Sequence, residues 1–130
     1  MAKVLIVDDS PFMVRLVGYM LETAGYETAS AENGKVALEL IAQDPPDLVF
    51  LDMMMPEMNG LETLRAIRAD AKTKDLPVLM LSAKAQTQDC EAAKEIGADG
   101  YLIKPFKSAQ VLDSAAQYLG PPPDKQRGTG

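Results

Sequence analysis

No histidine occurs anywhere in the 130 residues, and cysteine occurs once, at Cys90. The first absence removes every mechanism that uses histidine as base or nucleophile, and with it the usual zinc sites. The second excludes an intramolecular disulfide. Basic residues are also short, 13 against 19 acidic ones for a net charge of −6, which argues against a general nucleic-acid or membrane-surface binder. No apolar run is long enough to span a bilayer, and Met1-Ala2-Lys3 leads straight into Val4-Leu5-Ile6-Val7, too short for a signal peptide. A soluble, cytoplasmic protein is expected, of a length that fits one domain with its own core.

Short unbroken apolar runs are what the chain does have. Leu48-Val-Phe-Leu51 is bulky throughout, with no alternating polar face, as expected of a parallel strand covered on both sides. Asp52 ends it, and Pro56 with Asn59-Gly60 makes the turn that follows. Val4 to Val7 form a similar run, ending in Asp8 and Asp9. Ser10 as cap and Pro11 then open a helix with Phe12, Met13, Leu16, Val17, Met20 and Leu21 at helical spacing, stopped by Gly25. Tyr26 to Ser30 is a weaker strand, suited to a place near the sheet edge. Asn33-Gly34 opens a second helix carrying Val36, Ala37, Leu38, Leu40 and Ile41, closed by Asp44-Pro45-Pro46.

Asn59 and Glu62 form a capping box before a third helix, whose buried stripe is Leu61, Leu64 and Ile67, with Arg65 and Arg68 facing out. Val78 to Leu81 is the fourth strand, ending at Ser82. The helix from about Thr87 to Ile96 has a face of mostly small residues, Cys90, Ala92 and Ala93 with Ile96, so burial holds it weakly and it is the easiest to shift. Tyr101-Leu102-Ile103 is the fifth strand, ended by Lys104-Pro105. Ser108 caps a last helix with Val111, Leu112, Ala115 and Leu119 inward. Residues 120–130 have little to bury and read as a linker, a disordered end or a cloning remnant. The alternation predicts an α/β fold, a (βα)5 three-layer sandwich around a five-stranded parallel sheet.

Residues beyond four strands therefore collect on one edge: Asp8 and Asp9, Asp52, Ser82 and Lys104. Ligands bind at that edge in open α/β sheets. Taken singly, Asp8, Asp9 and Asp52 read as caps or turn formers, Ser82 as a turn residue and Lys104 as a solvated end; it is their joint occurrence that points to chemistry. Three carboxylates this close repel by about a few kcal/mol per pair at an effective dielectric near 20, so cations must accompany them. Lys104 is one. Oxygen-only ligands point to magnesium as the other. A carboxylate beside two cations is equipped to attack a phosphoryl group, whose equatorial charge both neutralise, while Ser82 can donate to the attached group.

Asp8-Asp9, Asp52 followed by Met-Pro-Glu-Met-Asn-Gly, Ser82-Ala83, Tyr101 and Lys104-Pro105-Phe106 resemble the receiver domain of two-component response regulators, across nearly all of residues 2–119. The resemblance implies a flavodoxin-like, doubly wound sheet in the order 2-1-3-4-5. It implies that Asp52 accepts a phosphoryl group from a phosphohistidine on a partner kinase or phosphotransfer protein, which accounts for the missing histidine. Further implications are magnesium held by Asp9, Asp52 and the Met54 carbonyl, with Asp8 acting through water; Ser82 and Tyr101 as the switch pair; and a cis Lys104-Pro105 bond. Met54 and Lys84 fall at positions that tune phosphoryl lifetime in such domains. The methionines at 53, 54, 55 and 58 read as adaptable packing.

The activity implied is self-catalysed phosphorylation and dephosphorylation, with no turnover of a separate substrate. Output is expected at a protein-binding face built from the fourth helix, fifth strand and fifth helix, from a monomer or a phosphorylation-dependent dimer. No membrane or nucleic-acid partner is expected for these residues. Two rivals also use this kind of fold. A haloacid-dehalogenase-like phosphohydrolase forms an aspartyl phosphate but needs a second acid two residues on, where Met54 stands. A flavin or nucleotide carrier needs a phosphate-binding loop after the first strand, where Asp8-Asp9-Ser10-Pro11 would repel a phosphate.

Overall fold

The computed structural model describes residues 2–55, 58–83 and 87–120, the side chains of 87, 88 and 90 excepted. Strands β1 (Lys3–Val7), β2 (Glu27–Ala31), β3 (Leu48–Asp52), β4 (Val78–Ala83) and β5 (Gly100–Lys104) alternate with helices α1 (Pro11–Thr23), α2 (Gly34–Gln43), α3 (Gly60–Ala69), α4 (Thr87–Ile96) and α5 (Ser108–Leu119). All four pairings are parallel. The order is β2-β1-β3-β4-β5, with β3 central.

Both faces of the sheet are covered around its centre, which is why β1, β3 and β4 read as unbroken apolar runs. Leu5, Val7, Val49, Leu51, Val78 and Met80 pack with Ala37 and Ile41 of α2, Leu64 and Ile67 of α3, and Ala93 of α4. Their alternate neighbours Val4, Ile6, Leu48, Phe50, Leu79, Leu81 and Leu102 pack with Val17 and Leu21 of α1 and Val111 and Ala115 of α5. Successive side chains of one strand thus serve two separate half-cores. Helix starts follow the expected chemistry at Ser10, Asn33 and Asn59, whose side chains accept from Met13, Val36 and Glu62 N–H groups. The capping box is complete, since Glu62 also accepts from the Asn59 N–H.

Several local expectations change. β2 begins one residue later than read, because the Tyr26 N–H still bonds the Leu21 carbonyl at the end of α1 and its hydroxyl donates to the Gly120 carbonyl. Phe12 is 69% exposed. At 3.6 residues per turn it stands about 140° round the axis from Val17, so the buried stripe of α1 is Val17, Gly18 and Leu21, with Val14 partly buried beside it. Ser108 is the first residue of α5, not its cap; Lys107 is the N-cap, and its N–H donates to Gln110 Oε1 at 2.7 Å. Arg68 does not face out. Its guanidinium donates to the carbonyls of Gly97 and Leu76 at 2.9 and 2.7 Å and pairs with Asp99 at 3.1 Å. It joins the end of α3 to the turns before β4 and β5. Pro56, Lys84, the side chain of Cys90 and residues 121–130, on which expectations were also placed, lie outside the described residues.

Candidate functional site

The site forms where β1, β3 and β5 end together. Asp8 directly follows β1 and is held from three sides: its N–H donates to the Ala31 carbonyl, its Oδ1 accepts from the Ser10 N–H at 2.9 Å, and its Oδ2 meets Lys104 Nζ at 3.1 Å. Asp52 is the last residue of β3, in register with Leu81, and its Oδ1 lies 3.2 Å from the same Nζ. Lys104 thus bridges two carboxylates that are 2% and 5% exposed. Asp9, next along, is exposed and completes a triad with Asp8 and Asp52 whose ligand oxygens lie within 4.8 Å of one another. A groove of about 470 Å³ opens beside them, bordered by Asp8, Asp9, Pro11, Arg15 and Glu32.

Burial pushes the Asp52 carboxyl up to about 6, the neighbouring charges of Asp8 and Asp9 add to the rise, and Lys104 opposes it. Burial alone would lower the Lys104 pKa, but the charges and hydrogen bonds of Asp52 and Asp8 outweigh it, so the ammonium is held above the ordinary lysine value. Three carboxylates against one ammonium leave a formal −2, the charge that a divalent cation balances. The donors are all oxygens, two buried and one at the surface, a set suited to magnesium that keeps part of its water shell.

The expected switch residues do not join this cluster. Ser82 is fully buried near the end of β4, and its hydroxyl donates to the Ala83 carbonyl at 3.1 Å. Tyr101 on β5 is 40% exposed, with Lys94 Nζ of α4 lying 5.0 Å from its ring centroid. The Lys104-Pro105 peptide is cis, as the motif implies. Met53 is buried, Met55 packs against the α2–α3 half-core, and Met58 lies against Gly34. Met54 departs from the packing expectation, being 60% exposed beside the site.

The model of the response regulator receiver domain matches residues 4–116. The chain belongs to that family. It is 42% identical over 112 residues, 86% of its length, to the DNA-binding dual master transcriptional regulator RpaA of a Synechocystis species, covering 46% of that protein. It is 39% identical to the DNA-binding response regulator MtrA of Mycolicibacterium smegmatis, over 85% of this chain and 47% of the relative. The chain therefore spans about half the length of the curated relatives it matches. Among solved structures, chemotaxis protein CheY4 of Vibrio cholerae superposes with a TM-score of 0.85 at 36% identity, over 92% of this chain and 99% of that one. The NtrX receiver domain of Brucella abortus does so with 0.85 at 32%, over 89% and 97%. As a receiver, the chain is a phosphorylation-activated switch of two-component signalling, and the hydrolase and flavin-carrier readings fall away.

Asp8, Asp9, Asp52 and Lys104, which the sequence places at one sheet edge, lie together in the structure. The Lys94 contact and the direct Asp8–Lys104 pair are not legible in the sequence, and Arg68 reads there as an outward-facing residue. Lys94 and Arg68 carried no signal beyond being charged residues on helices; Asp8 and Lys104 were both flagged, but not as partners.

Proposed function

We propose that Asp52 is the phosphoryl acceptor of this receiver and that a partner phosphohistidine is its donor. The observation that carries this reading is Lys104 Nζ bridging buried Asp8 and Asp52 at 3.1 and 3.2 Å. An Asp52 carboxylate oxygen attacks phosphorus, an O–P bond forms as the N–P bond breaks, and the departing imidazole nitrogen takes a proton. Lys104 stabilises charge on the phosphoryl oxygens as it transfers. Asp9, Asp52 and the Met54 carbonyl would hold magnesium, with Asp8 acting through water; when bound, the ion supplies the second positive charge at those oxygens. The Ser82 hydroxyl then leaves the Ala83 carbonyl for a phosphoryl oxygen, and Tyr101 turns in behind it. The face formed by α4, β5 and α5 changes shape, and a downstream protein reads that change.

The chain catalyses its own phosphorylation and hydrolysis and turns over no separate substrate. Exposed Met54 shields the acyl phosphate from water, and Lys84 tunes the same lifetime. A cytoplasmic histidine kinase or histidine phosphotransfer protein is the donor, the active form is a monomer or a phosphorylation-dependent dimer, and the acidic surface gives these residues no nucleic-acid role of their own. Incubation with acetyl phosphate and magnesium should add one phosphoryl group to the intact mass. Asp52→Asn should abolish the gain; a variant that still incorporates phosphate would end this assignment.

A further inference from the structure

The described side chains of α4 bury little apolar surface. Among them only Ala93 is fully buried, with Ile96 partly buried against the same half-core. Where these side chains bury so little, a contact across the α4–β5 edge weighs in where this part of the helix rests. That contact is Lys94 over the ring of Tyr101, 5.0 Å from its centroid. Tyr101 stands on β5, an edge strand, one residue before Leu102 and two before Ile103, whose side chain packs on the α2–α3–α4 half-core. Its ring therefore lies on the α4 side of the sheet, 40% exposed, with the Lys94 ammonium against its negative face. For the ring to move inward it must leave that cation.

We propose that Lys94 is a positioning residue that holds Tyr101 in its outward place, so that the positive charge at 94 sets how readily the phosphoryl group throws the switch. This rests on the reading of Asp52 as acceptor and Tyr101 as switch. A ligand at Asp52 shifts the domain only by its preference for the inward state, and any contact made only in the outward state works against it. Removing a cation–π contact of ordinary strength should raise the resting inward population, and the apparent affinity for a phosphoryl mimic, about two- to fivefold.

The test uses Lys94→Met, Lys94→Arg, Tyr101→Ala and the Lys94→Met/Tyr101→Ala pair. Two quantities are read: the tyrosine-ring NMR resonances of Tyr101 without any mimic, and the apparent dissociation constant for beryllofluoride with magnesium. Lys94→Met should move the ring resonances toward their beryllofluoride-bound positions and tighten the mimic about two- to fivefold. Lys94→Arg, which keeps a cation, should match the unsubstituted protein, and Tyr101→Ala should erase the effect of Lys94→Met. An unchanged Lys94→Met, an arginine variant that behaves like the methionine one, or an effect that survives Tyr101→Ala overturns the proposal. If the unsubstituted protein binds no beryllofluoride, the Asp52 assignment fails and takes this one with it; binding without a Lys94 effect removes this proposal alone.

Discussion

Gly60 sits hard against the backbone of Asp52: a Cβ added at Gly60 would come 2.4 Å from the Asp52 carbonyl oxygen and 2.8 Å from Met53 Cα. The Gly60 N–H donates to the Met53 carbonyl at 2.9 Å, so the first turn of α3 is clamped to the end of β3. Glycine is needed here for space. Gly60→Ala must push backbone rather than a flexible side chain, costing about 1–3 kcal/mol. Thermal unfolding should show the loss, and phosphoryl uptake from acetyl phosphate should slow as Asp52 is displaced from Lys104.

Asp52→Asn should stabilise the metal-free protein at neutral pH. The native carboxyl titrates at about 6 against an ordinary value of 3.8, so between those values the folded chain keeps a proton that the unfolded chain has lost. Stability then falls as pH rises through that window. The amide removes this slope and should add on the order of 1–3 kcal/mol above pH 7. Urea unfolding in a chelator from pH 4 to 8 measures it; a parallel pair of curves would count against the burial of Asp52 charge.

Lys104→Met leaves two buried carboxylates facing each other without a cation. Breaking such a pair from one side costs about 3–5 kcal/mol. The loss should shrink on acidification as Asp52 takes a proton, and the Asp52→Asn/Lys104→Met double variant should recover part of it. Denaturant midpoints of the four proteins give the coupling directly.

Arg68→Ala should be more damaging than an ordinary helix-surface substitution. It deprives the Gly97 and Leu76 carbonyls of their donor and leaves Asp99, which also accepts from the Val78 N–H at 2.8 Å, without its cation. A loss of about 2–4 kcal/mol is expected. Amide exchange in α4 should accelerate. Arg68→Lys should not rescue, since an ammonium cannot reach these acceptors in the geometry of a planar fork.

The architecture was legible because β1, β3 and β4 each serve two half-cores, and such strands appear as short unbroken apolar runs bounded by turn residues. The chemical residues were legible for a related reason: a strand that ends in Asp52 or Lys104 changes from apolar to charged in a single step. Arg68 and Phe12 were misread because helical spacing alone cannot say which flank meets backbone carbonyls and which meets water. The Arg68 acceptors are carbonyls in irregular turns near residues 76 and 97, which leave no pattern in side-chain types. The lysine over the Tyr101 ring was not legible, because a lysine on a weakly amphipathic helix resembles any solvated lysine.

The alternation along the strands also divides the residues of the proposed switch between two faces. On β3 the side of Phe50 is the side of Asp52, and on β5 the side of Leu102 is that of Lys104, both toward α1 and α5. On β4 the side of Met80 is that of Ser82, and on β5 Tyr101 shares the side of Ile103, toward α3 and α4. Under the proposed roles, the sheet is thus a partition with the phosphoryl-accepting residues on one face and the switch pair on the other. On that proposal the two faces meet at the rim where the strands end, so repacking the α1–α5 half-core should alter phosphoryl uptake, and repacking the α3–α4 half-core should alter the response to it.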